Sequence, residues 1–332
     1  MEIECLNSLT AGQARDWAAF LKSAAHQHPR QDIRFAHVER ALEWVWGSKT
    51  PSVCFIVGPP RSGTLLLYEM VVTQYSCGYL SNFAKRMYRT PVVATFLLRK
   101  AIRDRSGAFD STWGELDGNA APSEAGRIWC FWMAYAAPYH QNARGMPSGR
   151  IRRKMPAIVH ILGGSVIIKN PILQADIPQL LHLFLEAIFL HIDRDFANNA
   201  RSLKRLREVR EGEDEAGWVS LRPSGWERFT KADPMTQSCA QVVLSHQDIE
   251  TELSEQRSTQ RVLRIAYEDL CAAPNDTLSE FERFARANGV ALMRKCGAAS
   301  PKGLTPRHQP MDETQRQIEF CLRKLRAEIK PA

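Results

Sequence analysis

The stretch "FIVGPPRSGTLLLYEM", residues 55–70, sets Arg61 and Ser62 between Gly58 and Gly63. An apolar run, a Gly- and Pro-rich turn and a second apolar run read as strand, tight loop and helix. That order points backbone N–H groups and the positive end of a helix dipole at one spot, which is an anion site. Loops that hydrolyse nucleoside triphosphates carry G-x-x-x-x-G-K-[ST], with the lysine reaching the β/γ-phosphates. Here Thr64 stands in the lysine position and the basic residue, Arg61, lies inside the loop. Anion binding without ATP hydrolysis is the chemistry this pattern predicts.

A second basic anchor lies about 130 residues downstream, in "AIFLHIDRDFANNARSLKRLREVR" (187–210). Ala187 to Ile192 reads as a buried strand and Asp195 onward as a helix, so Arg194 falls at the carboxyl end of a strand. Open parallel sheets bind their ligands there. Ser202 follows two helical turns later, and Asn198 and Ser202 form an i, i+4 polar pair on one face. Arg201, Lys204, Arg205 and Arg207 point mostly elsewhere, as on a solvated basic helix. The net charge is 44 − 36 = +8. This favours an anionic ligand, but no aromatic stacking pattern accompanies the basic residues, so nucleic acid is not expected.

Elements must hold these anchors. Helical patterns occupy Ala11 to Ala25, Phe35 to Trp46, Gly63 to Gln74 and Asn82 to Ile102, the last interrupted at Pro91. Residues 105–126 read as a long surface loop, followed by an aromatic-rich helix or strand, "RIWCFWMAYAAPYH". Strands at Val166 to Ile168, Ala187 to Ile192 and Val262 to Ile265 alternate with helices at Ile177 to Leu185, Asp195 to Val209 and Pro234 to Leu253. The alternation predicts an α/β fold: one P-loop-type domain with a central parallel sheet and helices on both faces. Residues 51–290 form that domain, 1–50 a helical extension packed on it, and 291–332 a C-terminal loop and helix of the same domain. Breaker-rich loops lie at 212–226 and 297–310.

Eight cysteines are scattered without a C-x-x-C pair, so buried free thiols are expected rather than zinc ligands or disulfides. The N-terminus has neither a basic leader nor a long apolar run, and no stretch reaches the roughly 20 residues of a membrane helix. A cytoplasmic protein is expected; its oligomeric state is open.

The pair "PRSGT" after one strand and strand-R-x7-S-helix after another resembles the sulfotransferases that use 3′-phosphoadenosine 5′-phosphosulfate (PAPS), in a bacterial-type branch. "GYLSNFAKRMYRTP", "PSEAGRIWCFW", "VIIKNP", "WVSLRPSGW" and "LRIAYEDLCAAP" resemble further family segments, so the likeness spans roughly residues 50 to 290. The resemblance implies that Pro60, Arg61, Ser62, Gly63 and Thr64 hold the 5′-phosphosulfate. It also implies that Arg194 and Ser202 hold the 3′-phosphate. A donor with no γ-phosphate and no need for Mg²⁺ then explains the missing lysine. Three positions depart from the family pattern. Leu65 replaces a second threonine, Phe196 replaces a helix-starting proline, and the early glutamate base is absent from "GYLSNF".

Sulfuryl transfer to a hydroxyl or amine needs a base, a cation on the developing charge and fixed donors for the leaving phosphate. Arg61 and the loop N–H groups fit the last task. Lys169, ending an apolar strand, fits the cation; a snorkelling strand-end lysine is the plainer alternative. Glu124 is the chosen base, on the expectation that Trp129 and Trp132 raise its pKa. A first-turn glutamate serving the helix dipole is the plainer alternative. His140 and His191 are weaker candidates, His191 reading as a satisfied core histidine. Lys302 and Gly303 read as a loop, Tyr267, Glu268 and Asp269 as capping and packing, and Trp218 and Trp226 as pocket walls or loop anchors. The acceptor, a glycan or small molecule, is not encoded in a readable pattern. Two rivals stand beside this reading. One is a nucleotide kinase or NTPase with a degenerate loop, its Mg²⁺ held by Asp193; the other is a non-catalytic relative that binds adenosine 3′,5′-bisphosphate (PAP).

Overall fold

The computed structural model describes residues 35–47, 51–104, 111–112, 115–133, 149–209, 218, 220–254, 260–298, 300–305 and 311–329. The expected helix at Ala11 to Ala25, His140 and part of each breaker-rich loop lie outside them. The chain runs α1 (Ala36–Trp46), β1 (Val53–Val57), α2 (Thr64–Gln74), β2 (Gly78–Tyr79), α3 (Asn82–Arg86), α4 (Pro91–Arg103), β3 (Ser111–Thr112), β4 (Glu115–Leu116) and α5 (Gly126–Met133). It continues through α6 (Ile151–Leu162), β5 (Val166–Lys169), α7 (Ile177–Leu183), β6 (Ile188–Asp193), α8 (Phe196–Val209), α9 (Pro234–Ser254), β7 (Val262–Ala266), α10 (Tyr267–Ala272), α11 (Pro274–Ala287) and α12 (Glu313–Glu328).

Five strands form one sheet in the order β2-β5-β1-β6-β7, and every neighbouring pair is parallel. Every residue of β1 and β5 is buried. Strands covered by helices on both faces read in this way as unbroken apolar runs. After β1 the chain builds β2 and β5 on one side, then crosses over to add β6 and β7 on the other. The carboxyl ends of β5, β1 and β6 therefore stand side by side at the point where the order reverses, where such sheets place ligands. Beneath them Phe55 stacks on Phe189 at 5.4 Å between centroids, and Trp129 meets Trp132 edge-to-face at 5.4 Å.

Pro91 divides the long helical pattern as expected: it starts α4 after Thr90, where its missing N–H costs nothing. Glu39 of α1 accepts from the N–H groups of Val92 (3.2 Å) and Val93 (2.8 Å). The same carboxylate pairs with Lys154 of α6, which also reaches Glu43 at 2.8 Å. One buried carboxylate thus ties three helices together. Burial pushes the Glu39 pKa up, against the pull of Lys154 and the two backbone donors.

The structure corrects one expectation and adds elements that the sequence pattern does not announce. Residues 115–125 are not a plain surface loop: Leu116, Ala121 and Ala125 are buried in the main core. Glu115–Leu116 is β4 itself, paired antiparallel with β3. Gly78–Tyr79 is a short edge strand against β5. Helices α6 and α11 escape the sequence reading; α11 buries one face through Thr277, Leu278, Phe281 and Ala285, while α6 is mostly buried and carries Pro156 internally. A second core forms where α12 closes over α8 and α9, through Leu203, Leu206, Val243, Ile318 and Leu322. No described helix is long and apolar enough to cross a membrane.

Candidate functional site

Between β1 and α2 the chain turns sharply. The Ser62 N–H donates to Pro59 O at 3.1 Å, Arg61 adopts φ 70° and Gly63 φ 104°. A Cβ on Gly58 would stand 2.5 Å from Ile192 O, and one on Gly63 2.4 Å from Cδ2 of Tyr267. Both glycines are therefore forced by close approach, and Gly63 by its backbone angle as well. The Ser62 side chain is fully buried and its Oγ has no hydrogen-bond partner. Helix α2 starts at Thr64, so its first-turn N–H groups open into this turn.

The second anchor comes to the first. Arg194, just past β6, donates from Nη1 to Arg61 O at 3.2 Å, and its guanidinium lies over the Tyr267 ring at 4.5 Å. Arg61 Nε stands 3.5 Å from Ser202 Oγ on α8. Asp195 caps α8 by accepting from the Asn198 N–H at 2.9 Å, while its own N–H lies 3.3 Å from Glu268 Oε1. A capping aspartate thus starts the helix where the family pattern has proline at position 196. Phe196 instead packs edge-to-face on His246 (4.9 Å) and under Arg326 (4.1 Å).

One strand over, Lys169 lies level with Ile56 of β1 and is 6% exposed. Its ammonium forms an ion pair with Glu124 Oε1, and Asn170 Nδ2 donates to Glu124 O at 2.8 Å. The two residues expected to divide the acid–base and cationic work are therefore in direct contact. The polar partner of Glu124 is this ammonium, whereas Trp129 and Trp132 are sealed in the core beneath.

The remaining candidates scatter. Trp218 and Trp226 meet at 5.7 Å, with Arg207 and Arg222 stacked on them at 5.3 and 4.7 Å. Trp218, 4% exposed, is a loop anchor rather than a pocket wall. Residues 300–305 run along the end of α10, where the Leu304 N–H donates to Cys271 O at 2.7 Å. A cavity of about 480 Å³ lined by Ser224, Arg228, Asp248 and Glu328 contains none of the strand-end residues.

Two features escape the sequence reading. Tyr267 and Glu268 do pack and pair, as "YEDL" suggests, but the elements they join are the two anchors. The other feature is a cluster on the next face of β6. His191 Nδ1 lies 3.2 Å from Glu250 Oε1 and 3.1 Å from Arg264 Nη1, while its Nε2 lies 3.3 Å from Asp193 Oδ1. His246 Nδ1 stands 3.5 Å from the same Asp193 oxygen. Burial opposes charge on His191, but the Asp193 and Glu250 carboxylates outweigh it and raise the pKa. Burial lowers that of His246. The i, i+4 spacing of His246 and Glu250 was the available signal; its partner on β6 was hidden by distance in sequence.

The fold is a parallel α/β sheet whose strand ends bring Arg61, Arg194 and Ser202 together. Residues 51–287 match the sulfotransferase family, and the chain belongs to that family. Among solved structures, sulfotransferase STF9 from Mycobacterium avium is similar over 98% of this chain and 80% of its own, with 14% identity and a TM-score of 0.54. Sulfotransferase STF1 from Mycobacterium tuberculosis H37Rv is similar over 96% and 84%, with 13% identity and a TM-score of 0.48. The sulfotransferase domain from the curacin biosynthetic pathway covers 72% and 75%, with 18% identity and a TM-score of 0.41. At 14% identity the likeness to STF9 is one of fold. No curated protein matches the sequence.

Proposed function

We propose that the protein moves a sulfuryl group from PAPS to a hydroxyl or amine of a glycan or small-molecule acceptor, leaving PAP. Family membership supports the reaction class. The observation that carries the donor assignment is the convergence of the anchors: Arg194 bonds the Arg61 carbonyl, and Arg61 reaches Ser202. Two basic residues and a hydroxyl converging above adjacent strand ends suit a ligand with phosphate at both ends of one nucleoside.

In this reading Pro60 to Thr64 wrap the 5′-phosphosulfate, with loop and first-turn N–H groups and Arg61 taking up charge on the leaving phosphate. The buried Ser62 Oγ, without a hydrogen bond of its own, has donor capacity to spare. Arg194 and Ser202 receive the 3′-phosphate. The acceptor oxygen forms its bond to sulfur as the bond from sulfur to the 5′-phosphate oxygen breaks. Glu124 takes the acceptor proton and Lys169 moves from Glu124 to the bridging oxygen. Their ion pair makes these roles interdependent, since the lysine must turn away before the carboxylate can accept a proton. No metal has a part in the transfer. The catalytic unit is residues 51–290, on which the described residues 35–47 and 311–329 pack. The five buried free thiols among the described residues fit a cytoplasmic setting.

Calorimetric titration with PAP, then with ADP and ATP plus Mg²⁺, tests the reading, with Arg194→Ala as control. Metal-independent preference for PAP that collapses in the variant is expected. Tighter Mg²⁺-ATP binding would overturn the assignment in favour of a kinase. PAP binding without transfer to any acceptor would favour the non-catalytic relative.

A further inference from the structure

The polar cluster between β6 and α9 is not explained by donor or acceptor chemistry. His191 and Asp193 stand two apart on β6 and therefore share a face. His246 and Glu250 stand four apart on α9 and share the facing stripe. Each of the four side chains can offer one ligand atom such that all lie within 4.8 Å of one another.

Three atoms single themselves out. His191 Nε2, Asp193 Oδ1 and His246 Nδ1 are each shut off from solvent, and none makes a hydrogen bond. Asp193 Oδ1 lies 3.3 Å from the first nitrogen and 3.5 Å from the second. These contacts are near enough for hydrogen bonds yet lack the alignment. Tetrahedral donors about 2.1 Å from a metal stand about 3.4 Å apart and point at the ion rather than at each other. On the far side of the ring, His191 Nδ1 faces Glu250 Oε1 at 3.2 Å. A metal-bound histidine characteristically donates its other N–H to a carboxylate, which fixes the tautomer with the free lone pair on the metal side. Glu250 is itself held by both guanidinium nitrogens of Arg264. Arg264 Nη1, 3.1 Å from Nδ1, can only donate and so meets the Nδ1 lone pair in one tautomer; a metal on Nε2 requires the other, with Nδ1–H donating to Glu250 and Arg264 held by the carboxylate alone.

We propose that His191, Asp193 and His246 form a binding site for a divalent transition metal of the zinc class, with Glu250 as the carboxylate that orients His191. Two imidazoles and one carboxylate suit Zn²⁺ or Co²⁺ and disfavour Mg²⁺ and Ca²⁺, which take all-oxygen shells. The ion would pin β6 to α9 directly beneath Arg194, a structural position rather than a catalytic one. Phe196 closes the site from the α8 side by packing on His246.

Cobalt provides the test, because its visible d–d absorption reports ligand type and geometry. The full-length protein, stripped with chelator and exchanged into metal-free buffer, is titrated with Co²⁺ and then with Zn²⁺ as competitor. One Co²⁺ per chain with the intensity of a four-coordinate site, the three side chains completed by one water, displaced by Zn²⁺, is expected. His246→Gln should abolish the spectrum, and Glu250→Gln should weaken binding about 10- to 100-fold. Far-UV circular dichroism verifies the fold of each variant; if His246→Gln does not fold, Asp193→Asn takes its place with the same expectation. Absence of visible absorption overturns the site. So does an unchanged spectrum in the folded variant, or a sulfur-to-cobalt charge-transfer band, which would place the ion on cysteines instead. No sulfuryl donor enters the measurement, so its outcome is independent of the proposed reaction.

Discussion

Replacing Gly63 with alanine puts two separate loads on the anion loop, and the structure allows them to be divided. The backbone at this position has φ 104°, a conformation that costs an L-residue about 1–2 kcal/mol. The added Cβ would lie 2.4 Å from Cδ2 and 3.1 Å from Cε2 of Tyr267. The ring must therefore move by about an ångström, and overpacking of that kind costs about 1–3 kcal/mol. Alanine restricts the unfolded chain and returns about 0.4–1 kcal/mol. The net expectation is a loss of about 1–4.5 kcal/mol in urea unfolding. Tyr267→Ala removes the steric load but leaves the backbone load, so the double variant should be more stable than additivity predicts by about 1–3 kcal/mol. Because Arg194 also rests on this ring, PAP affinity measured by calorimetry should fall in Tyr267→Ala as well. Additivity within about 0.5 kcal/mol would refute the claim that the ring is what demands glycine here.

Other expectations follow from the same geometry. Lys169→Met should lower kcat about 10²- to 10³-fold with PAP affinity little changed, and Glu124→Gln should lower kcat/KM about 10²-fold or more, in a radiolabelled sulfuryl-transfer assay. Equal loss of PAP binding in either variant would assign the pair to donor binding instead. Glu39→Ala should cost about 3–5 kcal/mol by denaturant unfolding, since it strips a buried lysine of one partner and the start of α4 of two acceptors. Glu39 is raised in the folded state, so the native protein holds this proton more tightly than the unfolded chain. Its contribution is greatest below the unfolded value of 4.5 and falls as pH rises through the folded pKa, a slope that Glu39→Gln should remove. Asp312 shows the opposite sign: Arg201 and the N–H of Gln315 hold its pKa at about 2, down from 3.8. The stabilisation is present above 3.8 and lost as pH falls toward 2, and hydrogen exchange in the first turn of α12 should speed up over that interval, and in Asp312→Ala at neutral pH.

The elements that bring Arg61, Arg194 and Ser202 together are legible in the sequence because their signals are local. An apolar run of strand length, a Gly-Pro turn and a basic residue at a strand end lie within a few residues of each other in sequence. Pro91 likewise announced its own helix boundary. The contacts that join these pieces were not readable, because each links residues far apart. The Lys169–Glu124 ion pair spans β5 and the turn before α5, and the sequence predicts both residues without predicting that they touch. Tyr267 reads as packing from its neighbours alone; only the return of β7 beside β6 reveals what it packs against. His191 reads as core because apolar residues surround it in sequence, while its polar partners on α9 come more than 50 positions later. Helix α6 was missed for a different reason, since Pro156 falls inside it and breaks the usual helical rule.

Arg61 is an arginine in a left-handed backbone conformation, at φ 70°. Glycine would adopt that angle without strain, and relief of about 1 kcal/mol exceeds or matches the extra entropy that glycine loses on folding. By that measure the loop folds in spite of its own residue. The same backbone twist is what turns the Arg61 carbonyl toward Arg194 and sends its side chain toward Ser202. An engineering screen scored on yield or melting temperature would therefore drift toward Arg61→Gly and report success. It would be selecting a better-behaved protein that keeps the carbonyl contact to Arg194 but has lost the guanidinium that reaches Ser202, so any stabilisation campaign on this scaffold has to score ligand binding from its first round.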